Sequence, residues 1–230
     1  MAATADLRAN LAAVRSAIAA AARACGRDPA SVTLVAVSKS QPIAALRAAH
    51  AAGQRAFGEN YPQELVVKAA ELAALDLEWH FIGQLQSNKT RPVAELAAWV
   101  HGLDRLKVAE RLAAQRPAHL PPLKVCLQVD VSGEPGKGGV APAALPALAR
   151  AVAALPRLEL RGLTCIPEPV AARSDRRAPF RRLRELRDAL RAEGLALDEL
   201  SMGMSDDHAA AIAEGATLVR IGTAVFGARG

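Results

Sequence analysis

Aromatic side chains are scarce in this chain: Phe, Trp and Tyr make up 3% of its 230 residues, with Tyr61 the sole tyrosine. A protein that stacks the bases of a nucleic acid needs an aromatic platform, and none accompanies the positive charge. Cysteine is nearly absent too. Cys25, Cys126 and Cys165 are odd in number and widely spaced, which excludes a disulfide framework and a clustered metal site and fits a reducing cytoplasm. No stretch is long, apolar and uncharged enough to span a membrane. The opening residues already carry Asp6 and lead into an amphipathic segment, unlike a secretory signal.

What is present is small and apolar. Hydrophobic residues make up 51%, mostly alanine, leucine and valine, a composition suited to helices packed closely on a sheet. The length allows one large domain or two small ones with a substantial core. The net charge of +6 owes much to an arginine run from Arg173 to Arg191, interleaved with Asp175, Glu185 and Asp188. Such a run reads as a solvated helix face with i,i+4 charge pairs. Nucleic-acid binding is the alternative, but no recognition motif supports it, so no nucleic-acid partner is expected.

Apolar periodicity divides the chain into a regular beat. Leu7, Leu11, Val14 and Ile18 recur at helical spacing, predicting an amphipathic helix over residues 5–25 that stops at Gly26 and Pro29. Short apolar strands are expected at 32–39, 56–58, 79–83, 99–102, 123–129, 158–166, 199–204 and 217–221. Helical patterns at 41–52, 61–74, 86–97, 104–115, 141–154, 175–193 and 206–214 follow the first seven. Eight βα steps predict an α/β TIM (β/α)8 barrel with an additional N-terminal helix, which covers the barrel bottom or replaces the eighth helix. An open doubly wound sheet is the second choice. No linker or composition break divides residues 1–230, so a single domain is expected.

In a barrel the reactive residues sit at the carboxyl ends of strands. Lys39 stands at the end of the first, with no acidic neighbour close in sequence. Burial there disfavours its ammonium and frees a nucleophilic amine, as a Schiff-base lysine requires. Alternatively its stem packs while its head reaches water.

The seventh and eighth strands end in Ser201-Met202-Gly203-Met204-Ser205-Asp206-Asp207 and Arg220-Ile221-Gly222-Thr223. Loops after these strands are the recurrent phosphate site of the fold. Ser205 and Thr223 offer hydroxyls, and Gly222 lets an anion approach the backbone. Taken singly, Ser205 or Asp206 reads as a helix cap, Gly222 as a turn glycine, and Arg220 as the partner of a wall carboxylate. Their convergence on a strand-end lysine points instead to an aldehyde cofactor that bears phosphate, pyridoxal 5'-phosphate (PLP). An inward Arg220 opposite the pyridine nitrogen disfavours protonation there and weakens the ring as an electron sink. A class I aldolase also uses a Schiff base, but no acid–base partner is evident beside the cradle.

Five segments in order carry a resemblance to a known family: Leu34-Val35-Ala36-Val37-Ser38-Lys39, the segment from Phe57 to Glu64, the segment from Trp79 to Lys89, Ser201 to Asp207, and Val219 to Gly227. The chain resembles the pyridoxal phosphate homeostasis proteins, whose barrel is similar to the N-terminal domain of alanine racemase. The resemblance implies that Lys39 holds PLP as an internal aldimine and that Arg220 faces the ring nitrogen. It further implies that Ser205, Gly222 and Thr223 bind phosphate, that Asn60 lies beside the ring and that Met202 is near the cofactor. Gln84 and Thr164, the latter standing for an expected methionine, depart from the family pattern without touching the phosphate site.

The function so implied is intracellular PLP (vitamin B6) homeostasis, as a cytoplasmic monomer that carries or buffers the cofactor and hands it to PLP-dependent apoenzymes. The alternative is a PLP-dependent amino-acid racemase. Alanine racemase takes its catalytic tyrosine from a second domain, and this sequence ends at Gly230 just after the eighth strand. Tyr61 and His80 are the substitutes on offer, each also readable as a packed residue. Lys137, in the glycine-rich stretch 136–139, is a further rim lysine or part of a solvated loop.

Overall fold

A computed structural model describes residues 2–132, 138–167 and 175–227, with side chains from Asp6 onward. Lys137 and Arg173, singled out above, lie outside the described residues. The strands are β1 (Thr33–Val37), β2 (Ala56–Glu59), β3 (Glu78–Phe81), β4 (Trp99–Leu103), β5 (Leu123–Gln128), β6 (Leu158–Thr164), β7 (Glu199–Ser201) and β8 (Leu218–Ile221). They pair in parallel in chain order, and β8 returns to β1 with Val35 opposite Arg220. The barrel is therefore closed, and the open sheet is excluded.

Helices α1 (Ala2–Ala24), α2 (Ile43–Ala51), α3 (Pro62–Glu71), α4 (Thr90–Leu96) and α5 (Leu106–Gln115) alternate with the first strands. They are followed by α6 (Leu145–Ala153), α7 (Ala178–Ala192), α8 (His208–Ala213) and a short α9 (Thr223–Phe226). Each strand buries one face under these helices, as parallel sheets require. Helix α1 packs on α2, α8 and α9, burying Leu7, Leu11, Val14 and Ile18 along one stripe. Asn10 of α1 also donates to the Val225 carbonyl of α9 at 3.3 Å. The N-terminal helix thus completes the outer ring where an eighth long helix would lie.

Three boundaries near the rim differ from the periodicity. Strand β1 ends at Val37, leaving Lys39 in the turn beyond it. Strand β7 ends at Ser201 because Gly203 takes φ +97°, a conformation no extended strand holds. Helix α8 starts at His208 because Asp207 Oδ1 accepts the Met204 N–H at 2.6 Å, which commits residues 205–207 to a turn.

The arginine run does more than the periodicity implies. Its face is solvated and carries the i,i+3 pair Arg182–Glu185, but arginines of α7 and its N-cap also turn onto the buried Glu214 that follows α8. Arg177 Nε donates to it at 2.7 Å and Arg184 Nη1 lies at 3.1 Å. These side chains dock α7 against its neighbour.

The barrel lumen is polar at its centre. His80, His101, Thr164, Ser201 and Arg220 are all buried there. Burial holds both imidazoles below the ordinary histidine value of 6.5, His101 well below it. In the unfolded chain these histidines take up protons as pH falls through about 6.5, whereas the folded barrel keeps them neutral. Stability is therefore lost on the acid side of that value, by up to ~1.4 kcal/mol per pH unit per histidine. Urea midpoints measured from pH 7.5 to 5.5 check this: a steep fall that flattens in His101→Asn is expected, and a flat wild-type profile contradicts it.

Candidate functional site

At the carboxyl rim, the ends of β1, β2, β7 and β8 enclose a pocket of about 330 Å³. Its polar lining comes from Lys39, Gln41, Asn60, Ser205, Asp206, Arg220 and Thr223. A larger cavity, about 730 Å³, lies at the opposite end of the barrel near Thr33, Asp76 and Glu78. Barrel chemistry belongs to the carboxyl rim, so the smaller pocket is the candidate site. Among the described residues, no group of histidine, cysteine and carboxylate side chains could hold a metal ion.

Two lysines meet at this rim with opposite surroundings. Lys68 of α3 is buried, and its ammonium donates to the Ser38 carbonyl at 2.7 Å, Glu59 Oε1 at 2.8 Å and Glu64 Oε2 at 2.7 Å. All three of its N–H donors are thereby used. Ser38 Oγ also donates to Glu59 at 2.6 Å, and the Ser40 N–H donates to Glu64 at 2.8 Å. This network clamps the turn from below, with Ser40 held at φ +61°. Lys39 rides on that turn half-buried and makes no hydrogen bond or ion pair among the described residues. Its amine is available because nothing is bonded to it, and not because it is sealed from water.

Asn60 follows β2 directly. Its Oδ1 is buried and lacks a hydrogen-bond partner among the described residues, an unusual state for a native side chain. Its backbone is pressed against Gly83, where a Cβ would sit 2.2 Å from the Asn60 carbonyl oxygen. Only glycine permits that approach. Gly222 is packed on Val37, and a Cβ added there would lie only 3.3 Å from the Val37 carbonyl oxygen. It keeps the backbone low beneath the pocket.

Arg220 is the pocket's buried cation. The two hydrogens of its Nη1 are shared among Ser201 O at 2.5 Å, Ser201 Oγ at 2.6 Å and Thr164 Oγ1 at 3.0 Å, and its Nη2 donates to Cys165 O at 2.9 Å. Every acceptor is neutral, so the pairing with a wall carboxylate does not occur. Burial lowers its pKa from the usual arginine value, and pushes the neighbouring Cys165 thiol up to about 12.

The structure brings together Lys39, Asn60, Ser205, Arg220, Gly222 and Thr223. Met202 is not among them: it is fully buried in the core, and Met204 lines the pocket instead. Past Gly203 the chain has left its strand, so the side chain that faces the pocket comes two residues later. Tyr61 is exposed and does not line the pocket. His80 sits in the lumen, bonded at both ring nitrogens. Sequence reasoning missed Lys68, although Glu64 and Lys68 stand at ion-pair spacing. It kept Thr164 apart from the phosphate site only, and in the barrel Thr164 accepts from Arg220 at 3.0 Å.

A closed parallel (β/α)8 barrel with a polar pocket at its carboxyl rim places the chain in the TIM-barrel class, and known proteins share that barrel. The family model described as "Alanine racemase, N-terminal domain" matches residues 9–230. A Pseudomonas aeruginosa protein named pyridoxal phosphate homeostasis protein is 65% identical, over 96% of this chain and 94% of its own. The protein of that name from Escherichia coli K12 is 53% identical over 97% of each chain. Among solved structures, PipY of Synechococcus elongatus with PLP bound is 42% identical, covers 96% of this chain and 100% of its own, and superposes with a TM-score of 0.84. The chain belongs to the pyridoxal phosphate homeostasis protein family.

The Lys68 clamp can be tested by substitution. Lys68→Met leaves Glu59 buried without its cation, at an expected cost of about 3–5 kcal/mol. Burial already pushes the Glu59 carboxyl up, against the bonds from Lys68 and Ser38. A raised carboxyl favours the folded state while protonated, so the penalty in Lys68→Met should grow as pH rises from 5 to 8. Urea midpoints at the two pH values measure it, and a loss below ~1 kcal/mol at both would remove the clamp from the account.

Proposed function

We propose that this protein binds pyridoxal 5'-phosphate at the carboxyl rim and carries or buffers it, with residues 1–230 acting as one cofactor-binding barrel. When bound, PLP supplies an aldehyde that an amine can capture and a phosphate that anchors it. The observation that carries the reading is the position of Lys39, an amine without a partner among the described residues, lining a pocket next to Ser205, Gly222 and Thr223. Lys39 supplies the capturing amine. Ser205 and Thr223 donate hydroxyl hydrogens to the phosphate, and Gly222 keeps the intervening backbone low enough to admit it.

The remaining lining fits the ring. Arg220 can only donate hydrogen bonds, so it holds a pyridine nitrogen in its unprotonated form. The partnerless Asn60 Oδ1 offers an acceptor at the pocket edge. The apolar contact assigned to Met202 passes to Met204. PipY, solved with PLP bound, supports the choice of cofactor.

We assign no substrate turnover. The relatives' name describes homeostasis, and Tyr61, the residue a racemase would recruit as its second proton-transfer group, lies off the pocket. The protein then works as a cytoplasmic monomer whose recipients are PLP-dependent apoenzymes.

Adding PLP to the purified protein should produce the absorption band of an amine-captured aldehyde, and Lys39→Ala should abolish it. Ser205→Ala and Thr223→Ala should keep the band but weaken retention roughly tenfold each, the worth of one charge-assisted hydrogen bond. No band in the wild type, or an unchanged band in Lys39→Ala, overturns the assignment. Racemisation of a defined amino acid above ~1 per second makes the protein an enzyme instead.

A further inference from the structure

A continuous line of hydrogen bonds runs through the barrel lumen, from the rim pocket to the cavity at the other end. Arg220 Nη1 donates to Ser201 Oγ at 2.6 Å, and Ser201 Oγ lies 2.6 Å from His101 Nδ1. His101 Nε2 is 2.9 Å from His80 Nδ1, and His80 Nε2 is 2.8 Å from Glu78 Oε1. Strands β8, β7, β4 and β3 each contribute a member. Arg220 lines the rim pocket, whereas Glu78 lines the opposite cavity and is 41% exposed. Ser201, His80 and His101 are fully or almost fully buried.

The two ends fix the direction of every bond between them. A guanidinium only donates, so Ser201 Oγ accepts from Arg220 and has its single hydrogen for His101 Nδ1. His101 then carries its hydrogen on Nε2 and donates it to His80 Nδ1. His80 in turn carries its hydrogen on Nε2, where it meets the carboxylate of Glu78. Two neutral imidazoles in one tautomer each satisfy all four contacts. In the opposite neutral tautomers, the bare His80 Nε2 would face a carboxylate oxygen, two acceptors without a proton.

We propose that Glu78, His80, His101 and Ser201 are positioning residues for Arg220, a one-way chain of hydrogen bonds that couples the guanidinium at the rim to a carboxylate at the far end of the barrel. The chain fixes where the guanidinium points and makes its charge distribution depend on a group well outside the pocket. Thr164 completes the setting by accepting from Arg220 and donating to the Ser201 carbonyl at 2.7 Å. Other charges bear on the line. Lys124 lies 5.1 Å from the ring of Trp99, which stacks on His80, and both Lys124 and Glu199 act on His80. His80 and Arg220 act on His101. The part of the proposal that concerns the bound ring rests on the PLP reading above. The chain itself does not.

Nitrogen-15 NMR of the cofactor-free protein tests the chain directly. At pH 7.5, His80 and His101 should both be neutral and protonated on Nε2. Glu78→Gln retains an acceptor oxygen but removes the charge. It should shift the Arg220 guanidinium signals, whereas Asp76→Asn, which changes a carboxylate lining the same cavity but outside the chain, should leave them in place. With PLP bound, Glu78→Gln should also move the pH midpoint of the cofactor absorption by about half a unit, and Asp76→Asn should not. A proton on His101 Nδ1, a cationic imidazole at that pH, or Arg220 signals unmoved in Glu78→Gln overturns the proposal. Failure to bind PLP would sink the proposed function and leave the NMR result to decide the chain.

Discussion

One buried charge organises the centre of this barrel. Arg220 is nine-tenths buried or more, and a guanidinium taken from water costs several kcal/mol unless its donors are satisfied. The usual remedy, a carboxylate, is not used. Two carbonyls and two hydroxyls from β6, β7 and the residue following β6 surround it instead. Neutral acceptors satisfy the donors without cancelling the charge. The arginine therefore keeps a positive field directed into the rim pocket, which a paired carboxylate would quench. Much of the lumen follows from this choice, since Ser201 and Thr164 must present oxygens inward and the two histidines must pack neutral behind them.

The barrel was legible from the sequence because its evidence is repetitive. Eight short apolar runs, the first seven each followed by a helical pattern, vote for the same topology, so errors at individual boundaries do not accumulate. That Lys39, Ser205, Arg220, Gly222 and Thr223 gather around one rim pocket was legible for a related reason: strand ends are short, and the barrel brings them together at one end. The failures are places where a local turn competes with periodicity. Gly203 leaves the strand and moves the pocket contact from Met202 to Met204, and the Asp207 side chain spends residues 205–207 on a turn. The lumen was illegible for another reason. His80 and His101 lie 21 residues apart and Ser201 a further 100 away, so only closure of the barrel reveals that they touch.

The rim lysines show how one residue type can serve two ends. On the carrier reading proposed above, a ligand is held firmly enough to survive transit yet reversibly enough to leave, so the proposed capturing amine must be fixed at its base and open at its tip. Lys68 supplies the fixing. Its three bonds join α3 to β2 and to the turn after β1, and they use up its own nucleophilic capacity. Lys39 supplies the opening, since its amine lacks a competing partner among the described residues and part of its surface stays in water. Exchanging their roles would fail on both counts. A partnerless ammonium at Lys68 would be buried at prohibitive cost, and an ion-paired Lys39 would have to break its bonds before capturing an aldehyde. The clamp beneath the turn is thus as much a part of the candidate site as the lysine that lines it.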